Sequence, residues 1–124
     1  IIIPKRRSAH VSQRVYKSSA GAVEHMMVAK VNNISDTLDR LKDKGLWIYG
    51  ADMDGDEYYF NRELKGPIAL VIGSEGKGMS RLVKEKCDFL LKIPMCGRIS
   101  SLNAANAASI LIYEVVRQGH EGKR

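Results

Sequence analysis

"PIALVIGSEGKGMSRL", residues 67–82, passes from a short apolar run directly into a loop that holds three glycines, one carboxylate and Lys77. A continuous apolar run bounded by turn residues reads as a strand buried on both faces of a parallel sheet. Glycines at that density mark backbone that must turn sharply or lie close to a ligand, so the run predicts a strand and the loop a site.

Outward from this stretch the periodicity alternates. Upstream, "MMVAKV" at 26–31 reads as a strand, and "ISDTLDRLKDKG" places Ile34, Leu38 and Leu41 at helical spacing, with Gly45 suited to a left-handed stop. "LWIYGAD" at 46–52 returns to strand character, and "MDGDEYYFNRELKG" is polar and turn-rich apart from one aromatic cluster. Downstream, "SRLVKEKC" fits a short helix, "DFLLKIP" a strand ended by Pro94, and "CGRISSLN" a polar loop. The last helix is expected from about Asn103 to Arg117, with Ala104, Ala107, Ala108, Leu111, Ile112 and Val115 on one stripe. This grammar predicts an α/β fold, a mostly parallel sheet with helices on both faces. No repeat, linker or low-complexity segment interrupts it, and 124 residues suit one domain.

Apolar residues make up 44% and charged residues 27%, and no apolar run approaches a bilayer span, so no membrane partner is expected. "IIIPKRR" has its apolar and basic parts in the reverse order to a secretory leader, so a cytoplasmic location is expected. The three β-branched residues at the very start read as the tail of a buried strand entered from upstream, and a fragment is expected. Cys87 and Cys96 lack CxxC spacing, and His10, His25 and His120 are scattered; two reduced thiols and no metal are expected. The net charge is +6, and residues 1–20 hold Lys5, Arg6, Arg7, Arg14 and Lys17 without a carboxylate, which is +5 of that excess. A basic arm of this kind is the footprint of a phosphate-backbone binder, although a solvated face would look alike.

Two nucleotide loops can be tested against residues 71–82. The P-loop pattern G-x-x-x-x-G-K-[ST] has Gly73, Gly78 and Ser80 in place, but position 79 is Met, so the charge that reaches the outer phosphates is missing. The dinucleotide fingerprint G-x-G-x-x-G fails because the glycines fall at 73, 76 and 78. A loop that merely turns a corner leaves Glu75 unexplained; a carboxylate at the carboxyl end of a buried strand suits a cationic or hydroxyl-bearing ligand. A second stretch, "IPMCGRISSLNAANAAS", sets hydroxyls and Asn103 at a helix start, where ordinary N-capping is the competing explanation.

Taken together, "LVIGSEGKGMSRLVKEKCDFLLKIPMCGRISSLNAANAASILIYEVVRQ" resembles the second and third signature motifs of the SpoU (TrmH-like) branch of the SPOUT RNA methyltransferases. Within that branch it is most similar to the bacterial enzymes that methylate a guanosine ribose of 23S rRNA. "IIIPKRRS" and "KSSAGAVEHMMVAKVNN" resemble the intervening region, so the likeness runs over essentially the whole chain. It implies a SPOUT-type fold with a C-terminal trefoil knot, which ordinary connection rules disfavour. It further implies S-adenosyl-L-methionine as cofactor, a homodimer, and methyl transfer to a ribose 2′-hydroxyl of rRNA, with tRNA as the alternative. By motif position, Gly73, Ile93 and Leu102 would contact the cofactor and Glu75, Ser101 and Asn103 would be the catalytic side chains. The basic arm would meet RNA.

Two departures qualify the likeness. The family's first motif, an Asn with a downstream Arg usually given the proton-removing role, has no counterpart here, so this chain is expected to be catalytically incomplete. The family's usual "SLNVSVA" reads "SLNAANA", which removes a hydroxyl at Ala105 and sets an amide at Asn106; buried without partners, that amide would cost about 1–3 kcal/mol. The alternative function is a non-catalytic RNA-binding or dimerisation module of the same fold.

Overall fold

The computed structural model describes residues 1–5, 17, 21, 25–74, 77–96 and 103–121. The chain divides into two units, residues 1–37 and 38–124.

In the first unit Ile2–Pro4 (β1) runs parallel to Ala29–Val31 (β2), with Ile2 opposite Ala29 and Pro4 opposite Val31. The strand expected over 26–31 is thus halved, because a three-residue partner offers a ladder of only that length. Met26 and Met27 lie outside it and are exposed. Of the opening isoleucines, Ile2 and Ile3 form a strand, but not a buried one: Ile2 is 41% exposed, and Ile1, just before it, 63%, since a two-stranded ribbon has little with which to cover them.

Helix α1, Ile34–Asp43, starts where the Asn33 side chain accepts the Asp36 N–H at 3.0 Å. Its end is a Schellman motif: Gly45, at φ +92°, donates to the Lys42 carbonyl, and Leu46 donates back to Leu41. The stop predicted at Gly45 is therefore present with its physical cause.

The second unit is built on a four-stranded sheet of β3 (Trp47–Ala51), β4 (Glu57–Tyr58), β5 (Ile68–Val71) and β6 (Phe89–Lys92). All neighbours are parallel, in the order β4-β6-β3-β5. β4 was not expected, being a two-residue strand inside a polar stretch. β5 is half-buried at all four positions rather than fully enclosed, because it ends the strand order. One face carries the core: Tyr49 and Leu91, with Ile68, Leu70 and Phe89, pack against Leu64, Tyr59 and Val115. Over this layer the Arg62 guanidinium lies 3.8 Å from the Phe89 ring centre while its Nε donates to Glu57 at 3.1 Å. The other face is so close-packed that a Cβ on Gly50 would fall 2.8 Å from Cys87 Sγ and 3.0 Å from the Met79 methyl. Helix α2 (Arg81–Lys86) joins the segments carrying those two side chains, so helices cover both faces as expected.

Helix α3, Ala104–Glu121, extends one turn beyond the expected end. Of the predicted stripe, Leu111 is buried, Ala104, Ala107, Ala108 and Val115 are half-buried and Ile112 is 54% exposed, while Glu114 and Gln118 join the buried side. The reason is a polar clamp. Gln118 accepts the Leu64 N–H at 2.6 Å and donates to the Arg62 carbonyl at 3.0 Å, satisfying backbone that no strand partners. Glu114 takes both the Gln118 amide and the Arg117 guanidinium; the Arg117 hydrogen bond holds its carboxyl below the usual range. Asn106, the doubtful amide, is exposed and bears no burial cost.

Candidate functional site

The chain leaves β5 on one side of β3 and returns as β6 on the other, so the sheet order reverses at β3. Open parallel sheets bind ligands at the carboxyl ends of strands where that reversal occurs. A crevice of about 330 Å³ opens at this place. It is bounded by residues that follow β3 (Asp52, Met53, Asp54), β5 (Ile72, Gly73, Ser74) and β6 (Ile93, Met95), and by Ala104 and Ala107 of α3.

The glycine loop closes on itself. Ser74 and Gly78 exchange backbone hydrogen bonds, at 3.3 and 2.8 Å, across the three intervening residues, and the Ser74 hydroxyl donates to the same Gly78 carbonyl. Gly78 sits at φ +67°. A Cβ on Gly73 would stand 2.5 Å from the Gly78 carbonyl carbon and the Met79 nitrogen, a contact no side chain tolerates. Gly73 is thus glycine because its own loop folds back over it. The sequence reading invoked a ligand approaching there, and Gly73 does line the crevice, but the missing side chain is explained without one.

The opposite wall is a pair of charges. Asp52, with a side chain only 10% exposed, takes the Lys84 ammonium at 2.7 Å on one carboxylate oxygen and the Asp54 N–H at 2.8 Å on the other. Burial pushes this carboxyl up, but the Lys84 hydrogen bond, the Asp54 N–H and the Lys84 charge outweigh it and leave the group below its ordinary value. The same hydrogen bond raises Lys84. The pair ties the end of β3 to α2, which Ser80 caps by accepting the Val83 N–H. Sequence reasoning missed Asp52, Asp54 and Lys84. The usable signal was the rule that strand ends carry sites, applied to "GAD" after β3 as it was to the glycines after β5.

Of the expected site residues, Gly73 and Ile93 line the crevice. Asn103 adjoins it through Ala104 and caps α3, its side-chain oxygen accepting the Asn106 N–H at 2.8 Å. Among the described residues its amide nitrogen has no partner, which leaves a donor at the helix start. Glu75, Ser101 and Leu102 lie outside the described residues, as do Arg6, Arg7 and Arg14. Lys5 and Lys17 are exposed in the first unit. Among the described residues no cluster of histidine, cysteine and carboxylate side chains could hold a metal, and no helix is long and apolar enough to cross a membrane.

The description of the SpoU rRNA methylase family matches residues 1–113. YacO of Bacillus subtilis, assigned to the TrmH family of tRNA/rRNA methyltransferases, is 53% identical over 118 residues, 95% of this chain and 47% of YacO. Among solved structures, the SpoU methyltransferase AviRb from Streptomyces viridochromogenes in complex with AdoMet is similar at 32% identity and a TM-score of 0.84, over 94% of this chain and 46% of that one. An AdoMet-bound rRNA methyltransferase from Sinorhizobium meliloti is similar at 25% identity and a TM-score of 0.85, over 94% and 45% of the two chains. The chain spans about half the length of the relatives it matches.

Proposed function

The chain belongs to the SpoU rRNA methylase family, and from that premise we propose that it is the part of an RNA 2′-O-methyltransferase that holds S-adenosyl-L-methionine. The acceptor is a ribose hydroxyl of structured RNA, ribosomal in the first instance and transfer RNA as the alternative. One observation carries the reading: the loop after β5 and the start of α3, the two motif segments, face one crevice at the sheet's reversal point.

The lining suits this cofactor. Ile72, Leu91, Ile93 and Met95 offer apolar contact for a flat ring, while Asp52, Asp54, Lys77 and Lys84 offer acceptors and donors for a ribose and an amino-acid tail. The volume falls within the range of small-molecule pockets. When bound, the cofactor supplies an electrophilic methyl group. The chain's own tasks are then to fix the acceptor in line and keep water out. Backbone at Gly73, Ile93 and Leu102 is assigned to the cofactor, and the side chains of Glu75, Ser101 and Asn103 to the acceptor side. Lys5, Arg6, Arg7, Arg14 and Lys17 are assigned to RNA phosphates, which makes binding salt-dependent.

A C-terminal trefoil knot and a homodimer belong to the same proposal. Supporting the dimer, Ile112, Tyr113 and Val116 leave a row of apolar side chains on α3 in water. Calorimetry with S-adenosylhomocysteine tests the reading: saturable binding is expected, and a folded sample that binds none overturns it. Salt-dependent RNA binding without cofactor binding would select the non-catalytic module instead.

A further inference from the structure

Three aromatic residues in succession, Tyr58, Tyr59 and Phe60, do different things. Tyr59 turns into the core, while Tyr58 and Phe60 stay 39% and 48% exposed. The two exposed rings lie parallel to within 5°, centres 5.3 Å apart, and Tyr59 meets Phe60 edge-on. The Lys92 ammonium sits 4.7 Å from the Tyr58 ring centre, and among the described residues no carboxylate pairs with it. Glu57, the neighbouring carboxylate, is engaged by Arg62. Strand pairing sets this stack beside the crevice: Tyr58 lies opposite Lys92, and the next residue, Ile93, lines the cavity. β4 ends the strand order, so no further strand of that sheet covers the rings.

The geometry points to a stacking platform for one unpaired RNA base, with Lys92 placed for its phosphate. This rests on the proposed RNA substrate, and adds how a nucleotide flanking the acceptor is held. Aromatic rings take bases of any sequence because every base has a flat face, and recognition of RNA by proteins relies on such unstacked bases. A lone cation beside the stack supplies the charge complementarity that a purely apolar protein contact would not need.

The test is fluorescence anisotropy of a labelled, unstructured oligoribonucleotide with the full chain and its Phe60 variants, alongside calorimetry with S-adenosylhomocysteine. Phe60→Ala is expected to weaken RNA binding about five- to a hundredfold, Phe60→Tyr to retain it, and both to bind S-adenosylhomocysteine as the parent does. RNA affinity unchanged in Phe60→Ala overturns the platform and leaves the methyltransferase reading standing. If the alanine variant is unfolded, Phe60→Leu decides: it keeps the apolar bulk without the flat face, so retained RNA affinity overturns the platform and a loss supports it. A shift in the sedimentation of Phe60→Ala with unchanged RNA affinity would make the rings a protein contact, which also overturns it. A parent chain that binds S-adenosylhomocysteine but no RNA overturns both the platform and the proposed substrate.

Discussion

At the end of β5 the crevice wall is held by backbone; at the end of β3 it is held by side chains. Ser74 and Gly78 bind each other through main-chain groups, with Gly73 kept bare so that the turn can close over it. Asp52 instead depends on an ammonium 32 positions further along the chain. A wall made of main chain tolerates almost any side chain but no added atom at its tightest point. A wall made of a charge pair tolerates added bulk but not the loss of a charge.

Substitutions can break this contrast in a definite order. Gly73→Ala should do most damage, because the new methyl would meet main chain rather than a flexible side chain; a loss of about 3 kcal/mol in urea unfolding and of S-adenosylhomocysteine binding is expected. Gly78→Ala has open space around its Cβ and suffers only from its left-handed backbone, so about 1–2 kcal/mol is expected. Asp52→Asn removes a charge-assisted hydrogen bond whose lysine still reaches water, which reduces the expected loss to about 1 kcal/mol. Ser74→Ala removes a hydroxyl that duplicates an existing main-chain bond and should change stability by less than about 0.5 kcal/mol.

Acid separates the two walls in another way. A carboxyl whose folded pKa lies below its unfolded one binds fewer protons when folded, so its contribution is complete above the unfolded value of about 4 and drains away as the pH falls toward the folded value. Asp52 and Glu114 both have this sign. Urea titrations at pH 7 and below pH 4 should show a shallower acid loss for Asp52→Asn than for the parent. Ser74→Ala should follow the parent curve.

The same contrast explains what could be read from the residues alone. Glycine is a rare solution to a local steric problem, so Gly45, Gly73 and Gly78 announced a helix stop and a tight loop. Alternating apolar runs announced β3, β5, β6 and the parallel sheet. Asp52 and Lys84 are common surface types whose meeting depends on tertiary structure; the place of Asp52 after a strand hints at a site, but nothing local names Lys84 as its partner. Glu114 and Gln118 were hidden for a related reason: hydrophobic periodicity counts apolar residues, and here a helix buries two polar ones to satisfy the backbone at 62–64. The two-residue β4 is too short to carry any period.

Cys87 lies against the space that a Gly50 side chain would fill, and burial pushes its thiol up to about 11 despite the pull of Lys42. It therefore stays protonated and half-buried through the neutral range, whereas Cys96 is exposed. Alkylation of Cys87 is consequently expected to run slower than that of Cys96.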